Sequence, residues 1–566
     1  MLDPKNCSHC HTAFEVTDND LAFFDRIAPE YNGTKYPPTP PSLCPQCRWQ
    51  RRLAYRNERT LYKRTCDLTG RSMISMHPAD APFPVYYITD WLGDGWDAKQ
   101  YGRSFDFSKP FFEQLGSLVQ EVPHFNLFID PRRDVNSDYT NCASDSKNCY
   151  LISQAEENED CFFSRGVNNC RDCCDCLRIH KCELCYECIN LINCYSCRYC
   201  QDSDNCSDCY FSTDLRGCHH CFGCNSLVQK EYHIFNKPVS KAEWEKQVAA
   251  NAFTRAAIAE YRAQASRIRL GLPQRATRLV QCEDCTGEHL NNCREAQHCF
   301  DSNDLEHCAY LNEVSAGARY CMDFSMWGVN AELLYECCGC GHDAYNLLFC
   351  NHCWNNVSYL VYCLSCFPSV KNCFGCFGLR QSEYCILNKQ YSADEYQELV
   401  PQIIEDMRSS GEWGEFFPPA LSCYGYNETV AYEYFPLERN QAVQGGWHWK
   451  DGDTSSLATG ASTSMLPPDI TIDQVDDSVL EQVYNCESSG KPFKLVLQEL
   501  RFYRKMGLPL PTRCPEQRHV DRVQLRNPRQ LWERFCEKCG EKIQSSYAPQ
   551  QPEIIFCQEC YLATVT

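Results

Sequence analysis

The most regular feature of the chain is a spacing. From Cys149 to Cys221 a cysteine recurs every 12 residues, at Cys149, Cys161, Cys173, Cys185, Cys197, Cys209 and Cys221. A second column stands three residues earlier, at Cys170, Cys182, Cys194, Cys206 and Cys218. A third stands three residues later, at Cys176, Cys188, Cys200 and Cys224, with Ser164 and Ser212 filling its gaps. The residue after the central column is mostly aromatic: Tyr150, Phe162, Tyr186, Tyr210 and Phe222. A strict short period makes each repeat one structural unit stacked on the next. Twelve residues are too few for a helix pair. They predict one coil of a narrow β-solenoid, with coils about 4.8 Å apart.

The array is duplicated. Cys221-Phe222-Gly223-Cys224 returns as Cys373-Phe374-Gly375-Cys376, Glu231-Tyr232 as Glu383-Tyr384, and Asn236-Lys237 as Asn388-Lys389. The second array is looser and runs through Cys308, Cys321, Cys337, Cys340, Cys350, Cys353, Cys363 and Cys366, mostly at 13-residue steps. Each array ends in a helix opened by a capping box, Ser240 with Glu243 and Ser392 with Glu395. The first of these helices is Ala-rich, reaches about Arg269, and is expected to cover an open end or to join the arrays.

The two ends of the chain are also copies of each other. Cys44-Pro45 meets Cys514-Pro515, Arg56-Asn57 meets Arg526-Asn527, Cys66 meets Cys536, and upstream Cys7 meets Cys486 and Phe24 meets Tyr503. Each copy has places for two metal sites in series. The first copy completes the first site with Cys7, Cys10, Cys44 and Cys47; the second copy has Ser489 and Gln517 among those positions. The second copy completes the second site with Cys536, Cys539, Cys557 and Cys560; the first copy keeps Cys66 but has Thr69, Tyr87 and Asp90. Two cysteines three positions apart close a knuckle on one face of a tetrahedral ion, and a second knuckle closes the other. Zinc is the expected occupant, about two structural ions in all, although four thiolates also suit iron. Cys7-Ser8-His9-Cys10-His11 fits a haem-attachment pattern as well, but Cys44 and Cys47 complete a ribbon instead.

Between the two site positions runs an arginine stripe: Arg48, Arg52, Arg56, Arg59 and Arg64, matched by Arg518, Arg522, Arg526, Arg529 and Arg534. The first four of each lie along one helix face. Arg48, Arg52, Arg56, Arg59, Arg518, Arg522, Arg526 and Arg529 are therefore candidate contacts for nucleic acid or a protein partner. The structural alternative is pairing with the many acidic neighbours.

Composition narrows the class. The chain has 566 residues, 46 cysteines and a formal net charge of -20. The acidity argues against a generally basic nucleic-acid coat. The first residues show neither an apolar stretch nor a cleavage site, and no run of 18 apolar residues occurs. A reduced cytoplasmic protein without a membrane span is expected, its thiols serving metal rather than disulfides. Three roles remain open for the interior thiols: packing, further metal, and disulfides across a coil. Phosphate loops, nucleophile elbows and the common zinc-protease and dinucleotide motifs are absent, so no catalytic residues are assigned and the expectation leans away from an enzyme. The aromatic stretch 86–128, with Trp91, Trp96, Phe111 and Phe112, is read as core joining ribbon to solenoid.

Cys66-Asp67-Leu68-Thr69-Gly70, Tyr101-Gly102-Arg103-Ser104-Phe105-Asp106-Phe107, the Asn-Cys-Tyr repeats and the terminal Tyr547-Ala548-Pro549 together carry a resemblance. The chain resembles the large cysteine-rich zinc-ribbon proteins abundant in ultrasmall candidate-phylum bacteria. The resemblance implies a bacterial cytosolic protein with ribbons flanking a repeat region, and implies no activity.

The expected architecture is multidomain and mainly β, with two terminal zinc-ribbon modules flanking a duplicated cysteine-rich β-solenoid with short helical inserts. Its parts are a ribbon module at 1–85, an aromatic connector at 86–140, a solenoid at 141–237, a helix at 238–270, a second solenoid at 280–389, a helix and tail at 390–450, a flexible linker at 451–480 and a second ribbon module at 481–566. The expected function is a zinc-stabilised binding scaffold whose Arg-rich modules contact nucleic acid or protein. Metal storage or thiol redox chemistry in the solenoid is the alternative.

Overall fold

The structure is a computed structural model. It describes residues 4–250, 253–314, 317–325, 328, 332–333, 335–339, 348–349, 357–452, 463–464 and 471–565. The chain divides into two compact units, each discontinuous in sequence: Met1–Asn126 with Thr277–Lys450, and Leu127–Ala276 with Asp451–Thr566. Each ribbon module therefore belongs with the solenoid farther from it in sequence.

In the second unit, parallel strands stack with a register of 12 residues. Leu177 lies opposite Ile189, Ile189 opposite Gln201, and Gln201 opposite Thr213. The backbone explains the period. Every third residue has positive φ, as at Asn169, Asp172, Asp175, Arg178 and Lys181. Asn and Asp tolerate this left-handed conformation better than most residues. Each coil is thus four three-residue edges, and the residue after each left-handed corner points inward. Cys170, Cys173, Cys176 and Ile179 are the four inward residues of one coil, and all are buried. Three columns are mainly cysteine; the fourth is Val167, Ile179, Leu191, Leu215 and Leu227. Pairing begins before the expected start, with Ile129 bridging Ala143.

This geometry accounts for the cysteines. The N–H of the residue before each left-handed corner donates to the next coil, as Leu177 does to the Cys188 carbonyl at 2.9 Å. The corner N–H donates to the previous coil, as Lys181 does to the Asn168 carbonyl at 3.0 Å. The inward N–H is left facing the interior, where a buried donor needs a partner. The inward side chain of the preceding coil supplies it. Cys176 N–H donates to Ser164 Oγ at 2.9 Å, Cys170 N–H to Asn158 Oδ1 at 3.0 Å, and Lys230 N–H to Cys218 Sγ at 3.5 Å. Each thiol also approaches two backbone carbonyls: Cys161 Sγ lies 3.5 Å from those of Glu159 and Cys170. In the three cysteine columns an inward position therefore favours a small side chain carrying a heteroatom, and cysteine adds apolar bulk that serine lacks. No disulfide joins the described cysteines. Of the three roles left open by the sequence, these contacts support packing.

Trp244, on the helix Lys241–Ala250, packs in one apolar cluster with Tyr210 and Phe222 of the last coils. The capping box forms, with Glu243 N–H donating to Ser240 Oγ at 3.2 Å. The C-terminal module lays the helices Leu497–Met506 and Pro515–Gln524 near Phe163, Cys174 and Tyr186 on one solenoid wall. Residues 453–462 and 465–470 of the expected linker lie outside the described residues. Its last part is not linker: Ile472, in the 3-10 turn Ile472–Gln474, and Val475 just after it are buried in the cluster that holds Leu500 and Tyr503.

The first unit repeats the plan around the looser array. The step is 12 residues between Gly287 and Cys299 but 13 between Leu305 and Ala318 and between Ser358 and Lys371. Cys340, Cys350 and Cys353 of this array lie outside the described residues. The aromatic stretch does not join the ribbon to the neighbouring first solenoid. The helix Phe111–Glu121 instead caps the second one, with Phe111 edge-on to Phe374 and tilted against Tyr362, while Arg380 donates to the Gly93 and Trp96 carbonyls. The helix Ala393–Ser410 opens on the expected box, Ser392 with Glu395.

Candidate metal centres and the arginine clamps

Each ribbon is built from short hairpins whose knuckles need one left-handed residue. Gly540 takes that role after Cys539, and His11 takes it after Cys10. Gly540 N–H donates to the Cys536 carbonyl at 2.8 Å, and His11 N–H to that of Cys7 at 3.0 Å. The remaining ligands come from helix starts: Cys44 caps the helix Pro45–Leu53, and Cys557 precedes the helix Gln558–Val565. A helix N-terminus favours negative charge, which suits a thiolate.

The predicted cysteines meet in two tetrads, Cys7, Cys10, Cys44 and Cys47, and Cys536, Cys539, Cys557 and Cys560. Within each, the four sulfurs lie within 4.8 Å of one another. Cys10 Sγ is 3.7 Å from Cys44 Sγ, and Cys539 Sγ is 3.9 Å from Cys557 Sγ. Tetrahedral zinc with bonds of about 2.3 Å requires sulfur separations of roughly 3.8 Å, so both tetrads fit the ion. In the first, the Cys47 thiol holds Cys44 down to about 5. In the second, burial opposes ionisation of Cys536, but backbone N–H groups of Cys539 and Cys557 outweigh it and bring the thiol to about 6. These are the only such ligand groups among the described residues.

The two degraded sites have become hydrogen-bonded contacts. Thr69 Oγ1 donates to Asp90 Oδ2 at 3.2 Å, and Tyr87 N–H donates to Cys66 Sγ at 3.3 Å. In the other copy Ser489 Oγ lies 3.8 Å from Cys514 Sγ, and Gln517 turns away to donate to Asp521 at 2.9 Å.

The arginine stripes are not laid out for solvent. Arg48 and Arg52 are buried, and both reach one carboxylate of the second solenoid, Asp323. Arg51 pairs with Glu336 at 3.0 Å and Glu415 at 3.1 Å. Arg56 pairs with Glu58, and Arg59 lies 3.7 Å from Glu433. The second copy does the same on the first solenoid. Arg518 Nη1 donates to Asp175 Oδ2 at 2.5 Å and Arg522 Nη1 to Asp175 Oδ1 at 2.9 Å. Arg518 also donates to Glu499 at 2.9 Å and to the Tyr503 hydroxyl at 2.6 Å. Burial alone would lower the Arg518 pKa, but Asp175, Tyr503 and Glu499 reverse this and raise it. Arg529 is buried as well, and Arg526 is partly exposed. The stripe is not one helix face: the helices end at Leu53 and Gln524, so of the expected contacts they carry Arg48 and Arg52, and Arg518 and Arg522, and these turn to the solenoid wall, where the corner acids Asp323 and Asp175 neutralise them. The clamp acids Asp175, Asp323, Glu336 and Glu499 were not singled out in the sequence. Their only signal was indirect, since a stripe kept in both copies calls for a counter-charge kept in both.

No family model matches the chain, and no curated protein matches it either.

Proposed function

We propose that this protein is a zinc-stabilised binding scaffold: two ribbons, each holding one zinc ion, locked onto two cysteine-cored solenoids. The observation that carries this reading is the sulfur geometry of the tetrads, which suits four-thiolate zinc. Four protein ligands leave no coordination position for a substrate, so the ion's role is structural. The arginine stripes act inside each unit as clamps. The partner is then a protein that meets the outer solenoid walls, because a net charge of -20 disfavours a polyanion and the best-placed guanidinium groups are already paired. Storage in the solenoid is less well supported, because the interior sulfurs face backbone carbonyls and inward N–H groups.

The test is metal content and thiol titration of protein purified without chelator under reducing conditions. About two zinc ions per chain, with interior thiols reacting only on unfolding, is the expected result. Many more ions, or iron, would overturn the reading in favour of storage or electron transfer.

A further inference from the structure

Outside the tetrads, four described cysteines are not fully buried: Cys142, Cys282, Cys285 and Cys423. Two of them form a Cys-x-x-Cys pair in the first coil of the second solenoid. The strand that leads into this coil, Leu279–Val280, is the edge of its three-stranded sheet. Its neighbour on the other side is the strand Gly287–Asn291, with Val280 opposite Asn291. Glu283 bridges Arg294, and Glu283 N–H donates to the Cys293 carbonyl at 3.0 Å. Cys282 therefore stands over Cys293 in one inward column, with solvent reaching the upper thiol and the lower one buried.

The ladder raises some of its thiols and lowers others, such as the buried Cys188, and at the end coil a lowered one meets solvent. Cys299, across the same coil from Cys293, is buried, and burial pushes its thiol well above the usual range. The Cys282 sulfur accepts from the Cys293 thiol and the Cys293 backbone N–H, and these bring it down to about 6 despite partial burial. Burial raises Cys285, which meets the Ala296 backbone N–H but has no thiol beneath it. The same ladder contact that fills the core thus stabilises a thiolate where the core meets water.

We propose that Cys282 is a reactive thiol, open to electrophiles and peroxide, and that its oxidation ends in a disulfide with Cys293 in the coil beneath. Neighbouring parallel strands place paired Cα atoms roughly 4.8 Å apart, inside the span of about 4.4–6.8 Å that disulfides use. With hydrogen peroxide as oxidant, the Cys282 thiolate attacks one peroxide oxygen and breaks the O–O bond, leaving a sulfenic acid and hydroxide. The Cys293 sulfur then attacks the Cys282 sulfur, forms the S–S bond and releases the sulfenic oxygen as water. In sum, two thiols and one peroxide give one disulfide and two waters.

The experiment uses the full zinc-loaded chain at neutral pH. Cleavage after Arg278 and Arg294 places Cys282, Cys285 and Cys293 on one peptide, so each can be assigned by fragmentation. Limited iodoacetamide should alkylate Cys282 at least about tenfold faster than the less ionised Cys285 or the buried Cys293. One equivalent of peroxide should remove two hydrogens from the peptide and silence backbone fragments between Cys285 and Cys293. Cys282→Ser should abolish that cross-link, and Cys285→Ser should leave it. Serine at an inward position is native to this array at Ser302, as it is to the first solenoid at Ser164 and Ser212, so both variants should fold. Equal alkylation of Cys282 and Cys285, a cross-link confined to those two, or its loss in Cys285→Ser would each overturn the proposal.

Discussion

Replacing Asp175 by asparagine should release the C-terminal ribbon module from its solenoid. The side chain keeps its shape but loses the charge that two arginines share. Arg518 and Arg522 are only 5% and 3% exposed, and the Asp175 carboxylate is itself 0% exposed. After the change Arg518 retains Glu499 and Tyr503, while Arg522 retains the Phe163 carbonyl at 3.2 Å. Removing one partner of a buried ion pair costs about 3–5 kcal/mol, because the remaining charge is stranded. A carboxylate shared by two guanidinium groups belongs toward the upper part of that range, about 4 kcal/mol. Because the chain has two units, the effect should be read locally by hydrogen exchange and not from a global unfolding curve. About 4 kcal/mol corresponds to roughly a thousandfold faster exchange of amides in the helix Pro515–Gln524. Heparin offers a second readout: the native chain should bind it weakly, and the variant should gain affinity as the stripe is uncovered. Asp323→Asn should act in the same way on the helix Pro45–Leu53. Exchange within threefold of wild type would refute the clamp. So would native heparin binding that Arg518→Ala removes while the module stays docked.

Ser164→Ala should cost about 1–3 kcal/mol, because it orphans the buried Cys176 N–H, whereas Ser164→Cys should cost under about 1 kcal/mol by restoring an acceptor; denaturant unfolding of the second unit distinguishes them. Cys539→Ser should remove one zinc ion per chain by elemental analysis and deprotect the hairpin Trp532–Phe535 with Lys542–Ser545, leaving the N-terminal tetrad loaded. Burial pushes His124 down to about 4 from its ordinary 6.5, so the folded state holds it neutral while the unfolded state binds a proton first. Its contribution is therefore fully present above pH 6.5 and is lost as pH falls toward 4, about 3 kcal/mol in all. His124→Gln should flatten that part of the stability–pH curve, and an unchanged slope would show that the imidazole is not buried neutral.

The solenoid was legible because its period comes from local backbone geometry. A corner every third residue forces an inward side chain every third residue, and the cysteine columns record that directly. The tetrads were legible because four ligands of fixed type at fixed spacing leave few alternatives. The partner of each ribbon was not legible. Sequence adjacency put residues 86–140 between the first ribbon and the first solenoid, but Phe111 and Arg380 join that stretch to the far array. Nor was the direction of the arginine stripe legible: a basic helix face reads alike whether it meets phosphate or an acid-lined wall. Asp175 and Asp323 lie on corners, where aspartate is common for backbone reasons alone, so their charge drew no notice.

The internal duplication separates what the fold requires from what it tolerates. Each ribbon copy has lost a different metal site, and each loss has been filled by hydrogen bonds: Thr69 with Asp90 in one copy, Ser489 with Cys514 in the other. Neither metal site is therefore indispensable to the module as such. The clamp, by contrast, is intact in both copies, with arginines four positions apart sharing one buried aspartate. Ion pairs this buried are poor bargains for stability when a hydrophobic contact could replace them. Their value here is register. The outer solenoid wall repeats every coil, and an apolar helix could slide from one coil to the next at little cost. In the corner column that meets this helix, Phe163, Asp175, Glu187 and Tyr199, aspartate stands at Asp175 and Glu187 is already paired with Arg262, so the arginine pair has one place to sit. On this argument a metal ion in each tetrad would hold its ribbon folded, and the clamps decide where on the repeating wall each ribbon stops.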